Sequence, residues 1–183
     1  MWVSGIKGSD WFVTIGGFKV TGVADPRALV KAVGEAASPQ FAQIVDAGRV
    51  AGRDHLYMAA VNAARSTETG LAVSKSITVE ALLYASAQDQ ITKALTQMGV
   101  NAGTKEIALM VFAYGQKEAG EAYGKAAKLL GTEDDGVLEI DAEKVETLRK
   151  VYCISDEEIE AAGGPESLSG LIVERGSLLS LRR

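Results

Sequence analysis

The nine residues 106–114, EIALMVFAY, constrain the chain more than any other stretch. A strand sends successive side chains to opposite faces, so an apolar run without polar alternation predicts a central strand. Two other stretches are strand-like. Residues 11–20, WFVTIGGFKV, are rich in β-branched and aromatic residues, and their Gly16-Gly17 pair predicts a hairpin turn or bulge. Residues 41–47, FAQIVDA, read as a short buried strand. A possible short strand ends the acidic stretch TEDDGVLEI at 132–140.

Helical signals fill most of the remainder. Asp25 followed by Pro26 is a cap and a first-turn proline, opening a helix that Ser38-Pro39 stops. Residues 52–66 place Leu56, Ala59, Ala60, Ala63 and Ala64 at helical spacing. From Ser76 to Gly99 runs a second helical region, divisible at the Ser-Ala-Gln-Asp stretch, with Ser76 or Thr78 as cap and Glu80 near a capping-box position. Residues 116–131, 141–152 and 155–162 follow as helices, and 165–183 as a closing helix and tail. The expected fold class is α+β, helix-rich, with a small central sheet of few strands packed by helices. The 183 residues suit a single domain whose core needs neither disulfide nor metal.

Chemistry is harder to find. One cysteine cannot form an internal disulfide, and one cysteine with one histidine cannot build a zinc site. No apolar run approaches the roughly 20 residues of a membrane helix, so a soluble, cytoplasmic protein is expected, with no membrane partner. The net charge of −5 disfavours DNA or RNA binding by the molecule as a whole, although screening lets a local basic patch act alone. Phosphate-loop, dinucleotide and nucleophile-elbow motifs are missing, and GVNAGTKE at 99–106 reads as a turn entering the central strand. The acidic runs 133–135 and 156–160 read as solvated faces and helix starts, and Cys153 as a buried, inert thiol. His55 is the only histidine; Asp54 beside it points about 100° away on a helix and cannot orient the imidazole. His55 shares a line with Ala59, Asn62 and Ser66, which suits a hydrogen-bonded helix contact and leaves ligand recognition open.

Three stretches together carry a resemblance: VAGRDHLYMAAVNAARS, SKSITVEALLYASAQDQITKALTQMGV and EIALMVFAY. Gly52-Arg53-Asp54-His55-Leu56 matches a G-[KR]-x-H-L helix, Glu80 to Tyr84 a Glu-Leu-Leu-Tyr helix, and Gln90-Ile91 through Leu95 a run that closes at Gly99-Val100. In order and spacing, residues 50–114 resemble the PRPK-binding protein family, the small accessory subunit of the KEOPS (also EKC) complex, whose archaeal members are about this size. Family members commonly carry arginine immediately before the Gln-Ile pair; here the residue is Asp89.

The resemblance implies a subunit without catalysis or cofactor. It would bind and support the KEOPS kinase/ATPase subunit and help recruit tRNA by its 3′ CCA end for threonylcarbamoyl-adenosine modification beside the anticodon. Arg53, His55 and Gln90 fall on family positions and are candidate RNA contacts; Arg65 and Lys75 join them on charge and proximity. Two alternatives stand beside this reading. One is a small metabolic enzyme using His55 with an acidic cluster, and the other a purely structural interaction subunit with no RNA contact.

Overall fold

The computed structural model describes residues 1–182, so Arg183, the last residue of the predicted tail, lies outside the described residues. Among the described residues, five strands form one antiparallel sheet: β1 (Trp2–Gly5), β2 (Phe12–Lys19), β3 (Phe41–Asp46), β4 (Glu106–Ala113) and β5 (Thr132–Glu133). Their order is β1-β2-β4-β3, and β5 adds to the far end of β2 beyond β1. The central position expected of 106–114 is therefore observed, with Phe12–Lys19 on one side and Phe41–Asp46 on the other.

The described residues form eight α-helices: α1 (Pro26–Ala37), α2 (Arg53–Glu68), α3 (Ile77–Ser86), α4 (Ile91–Met98), α5 (Gln116–Ala127), α6 (Ala142–Tyr152), α7 (Asp156–Ala161) and α8 (Leu168–Ser177). The composition of β4 follows from the two layers around it. Ala108, Met110 and Phe112 pack with α2, α3 and α4, whereas Ile107, Leu109 and Val111 pack with α1 and α5. All six are fully buried, so neither face has room for polar alternation. Ala51, Leu148, Tyr152, Ile154, Ile159, Leu168 and Ile172 form a third apolar cluster, through which α6, α7 and α8 close over the start of α2. The helix-rich α+β class is the one observed.

Local caps form where both partners are near in sequence. The Asp25 carboxylate accepts from Ala28 N–H at 3.0 Å, with Pro26 in the first turn. Ser155 and Glu158 form a complete capping box at α7. At α3 the expected box is not formed. Ser76 is the N-cap, but its hydroxyl meets Thr78 Oγ1 at 2.8 Å and caps no backbone N–H, and Glu80 lies one residue too late. The fully buried Glu80 carboxylate instead accepts from Ser74 N–H at 2.6 Å and Ser66 Oγ at 3.2 Å, pinning the α2–α3 connection to α2.

The Gly16-Gly17 pair makes no turn or bulge. Both residues lie inside the continuous β2 ladder, paired with Leu109 and Ala108. Their missing side chains admit close neighbours from both faces: the Tyr123 hydroxyl stands where a Gly16 Cβ would be, and Val137 crowds the same point at Gly17. The stretch 132–140 holds only the two-residue β5 at its start, followed by a 3-10 turn rather than a strand. Residues 2–5, unassigned from sequence, pair with Phe12–Ile15.

Thr14 is fully buried in β2, and its Oγ1 has no hydrogen-bond partner among the described residues. Valine has nearly the same shape and no hydroxyl to desolvate. Thr14→Val should therefore raise the unfolding free energy by about 1 kcal/mol in urea titration, and a loss of stability would show that the hydroxyl is satisfied in solution.

Candidate functional site

The residues of the family-like motif converge where the start of α2 meets the end of α3. Gly52, at φ +94°, turns the chain into α2 and puts His55 in the first helical turn. The imidazole is only 2% exposed. Ala51 N–H donates to Nδ1 at 3.1 Å, which fixes the proton on Nε2, and that N–H donates to the Ala85 carbonyl at 2.8 Å. Burial pushes the His55 pKa down to about 4, with Lys144 adding to the effect and the Ala85 bond opposing it. The ring is thus neutral at physiological pH, with both nitrogens used inside the protein.

Tyr152, at the end of α6, closes the same node. Its hydroxyl stands 2.9 Å from the Ala85 carbonyl and 3.0 Å from that of Arg49, sharing one proton between them. Its ring meets His55 edge to face, with centroids 5.8 Å apart. Burial raises the phenol's pKa. Ala85, the acceptor common to both side chains, sits one residue before the end of α3. Ala87 then adopts the left-handed conformation, φ 52°, with its N–H directed back to α3 carbonyls. Gln97 of α4 braces the turn, donating to the Ser86 carbonyl at 2.9 Å and accepting from Gln88 Nε2 at 2.9 Å.

The RNA candidates divide between two ends of the α2–α3 pair. Arg53 and His55 lie at one end, where α3 finishes and where exposed Gln90 caps α4. Arg65 and Lys75 are exposed at the other end, about 18 Å along the α2 axis. The five do not form one cluster. Arg53 is also engaged: its Nη2 lies 3.3 Å from Asp135 Oδ2, and its guanidinium carbon is 5.9 Å from the Trp2 ring centroid. His55 offers no free hydrogen-bonding edge to a ligand.

Asp135 is a further centre of contacts, where the acidic run 133–135 predicts a solvated face. Its carboxylate accepts from Gly17 N–H at 3.0 Å and also meets Arg53 and the Met1 ammonium. Burial raises its pKa, but the Gly17 N–H, the Met1 ammonium and Arg53 outweigh that effect and hold it below the ordinary carboxylate value. Cys153 is also corrected: it is exposed, because α6 ends there with φ 51° and the following Ile154 turns inward. No local signal in the sequence marks Tyr152, Gln97 or Asp135 as members of this region.

Two surface features border the node. On α4, Ile91 and Leu95 stand one turn apart and are 40% and 49% exposed, while Ala94 and Met98 of the same helix are buried. Between the α3–α4 turn and the last turn of the chain runs a groove of about 270 Å³, lined by Gln88, Asp89, Tyr152, Cys153 and Arg182 among others. Among the described residues, no group of three or more His, Cys, Asp or Glu side chains could hold a metal ion, and no helix is long and apolar enough to cross a membrane.

A search of curated proteins finds no match to this sequence. The family model described as kinase binding protein CGI-121 matches residues 20–179, from just after β2 to the last turn, and the chain belongs to that family of kinase-binding proteins.

Proposed function

We propose that the protein is a non-catalytic accessory subunit of the KEOPS complex. It binds and supports the kinase/ATPase subunit and recruits tRNA by its 3′ CCA end for threonylcarbamoyl-adenosine modification beside the anticodon. The observation that carries this reading is membership of a kinase-binding family over residues 20–179, a span that includes every motif from which the resemblance was drawn. The exposed Ile91 and Leu95 on α4 suit an apolar contact with the kinase. For RNA, exposed Arg65, Lys75 and Gln90 are the available candidates, and Arg53 can contribute only the part of its guanidinium not held by Asp135. His55 serves this reading from inside, by holding α2 against the end of α3.

The enzyme alternative required His55 as its acid or base. A buried, neutral imidazole with both nitrogens bonded to backbone lacks the proton exchange with substrate which that role demands. The alternative without RNA is separated by experiment. Intact tRNA should bind about ten-fold more tightly than CCA-trimmed transcript, with log K falling linearly in log salt. Equal affinity for the two transcripts would overturn recognition of the tail and leave a kinase-binding subunit without RNA contact. A flat salt response would overturn the phosphate contacts.

A further inference from the structure

We propose that Gln97 is the positioning residue of the α4 surface: by tying α4 to the last turn of α3 it sets the rotation of the helix, and so presents Ile91 and Leu95 together to the kinase. This rests on the kinase-binding reading above and assigns a residue to the upkeep of that face. α4 is short, packs chiefly on α3, and starts at Gln90 without a side-chain cap. A helix of this length has little stability of its own, so tertiary contacts must fix its orientation. Its buried side chains are Ala94 and Met98. Alanine offers a single methyl group and methionine is long and flexible, so this pair holds α4 down without fixing how it is rotated.

Gln97 supplies what they lack. Its Nε2 donates to the Ser86 carbonyl at 2.9 Å, and its Oε1 accepts from Gln88 Nε2 at 2.9 Å. One planar amide thus bonds the last residue of α3 and the turn after it, in two fixed directions. The receiving side is firm. Ser86 is fully buried with its hydroxyl donating to the Leu83 carbonyl at 3.1 Å, and Ala87 directs its N–H back to α3 carbonyls. Gln97 also meets the buried node: burial raises the Tyr152 pKa, and the Gln97 amide works against that rise. Leu95 lies two residues before Gln97, about 200° away around the helix. The bonded side of α4 is therefore roughly opposite its exposed apolar side, and any rotation at Gln97 carries Ile91 and Leu95 with it.

The test uses the full chain, with the kinase/ATPase subunit as binding probe and hydrogen exchange as a second readout. Gln97→Met keeps the length of the side chain and removes both bonds. It should weaken kinase binding about ten-fold, chiefly through faster dissociation. Amide exchange at residues 94–98 should speed up about ten-fold, while the amides of α2 stay protected, showing that the fold is intact. Ile91→Ala should weaken binding as well, and in that background Gln97→Met should cost only about two-fold, because a contact already removed cannot be misplaced. An equal loss in both backgrounds, or unchanged exchange in α4, would overturn the positioning role and leave the kinase reading standing. Full kinase affinity in Ile91→Asp, which puts a charge on the face itself, would instead overturn the placing of the kinase on α4.

Discussion

Replacing His55 by alanine should lower the unfolding free energy by about 3–4 kcal/mol, the largest effect expected of any polar substitution in this chain. The imidazole fills buried space between α2, α3 and α6, so its removal leaves a cavity. It also orphans the Ala51 N–H, while the Ala85 carbonyl keeps only its share of the Tyr152 proton. Each buried group left unsatisfied costs about 1–3 kcal/mol, and the cavity adds to it. Urea denaturation at pH 7 measures the sum, and a loss below about 1 kcal/mol would show that the node does not hold the helices together.

The same residue sets a pH dependence whose sign is fixed. The folded pKa is about 4 and the ordinary value 6.5, so the unfolded chain takes up a proton more readily than the folded one. The stabilisation is complete above pH 6.5 and is lost as pH falls from there through about 4, reaching about 3 kcal/mol. Carboxylates titrate in part of this window, so the informative quantity is a difference. The stability gap between the unaltered protein and His55→Gln should shrink as pH is lowered from 7 to 4. A gap independent of pH would mean that the imidazole is not held neutral by burial.

Gly17→Ala should cost about 2–4 kcal/mol, although glycine in a strand is ordinarily a weakness that alanine relieves. A Cβ here would stand 2.5 Å from Val137 Cγ2 and 2.7 Å from the Asp134 carbonyl oxygen. The side chain can repack; the backbone oxygen cannot, because Asp134 N–H bonds the Gly17 carbonyl at 2.9 Å while Asp135 accepts from Gly17 N–H at 3.0 Å. Relieving the clash therefore breaks the attachment of the 134–138 segment to the sheet, and with it the Asp135 contact to Arg53. Gly34→Ala in α1 is the matched control: a Cβ there meets nothing within 4 Å, and helix propensity predicts a gain of up to about 1 kcal/mol. Equal thermal shifts for the two variants would disprove the close approach at Gly17.

These two sites mark the limit of what the residues reveal in order. The central strand was readable at 106–114 because the signal is the sum of nine adjacent side chains, each indifferent to which neighbour buries it. Asp25 with Pro26 is readable because a cap and its donor lie three residues apart. Glu80 shows the failure of the same logic: its spacing suggested a local cap, but Ser66 and Ser74 brought it a better-buried set of donors. For Gly16-Gly17 the local preference for a turn was overridden by the close approach of Tyr123 and of residues 134–137.

The candidate site divides in the same way. Its family motifs can be recognised in sequence; in the fold Arg65, Lys75 and Gln90 are exposed, whereas Arg53 is half-buried against Asp135. That His55 turns inward depends on Ala85, thirty residues away, and on Tyr152, which reaches Ala85 from a further 67. Cys153 is exposed because α6 stops at it, and Arg182 lines a groove with Asp89 because Leu179 is buried. Periodicity, caps and motif order are properties of neighbouring residues, so the helix-rich α+β class, the central strand and the family resemblance are legible along the chain. Which polar groups are spent inside and which remain for a partner follows from the folded chain, because a side chain's burial and hydrogen bonds are set by residues that the chain brings together from far along its length.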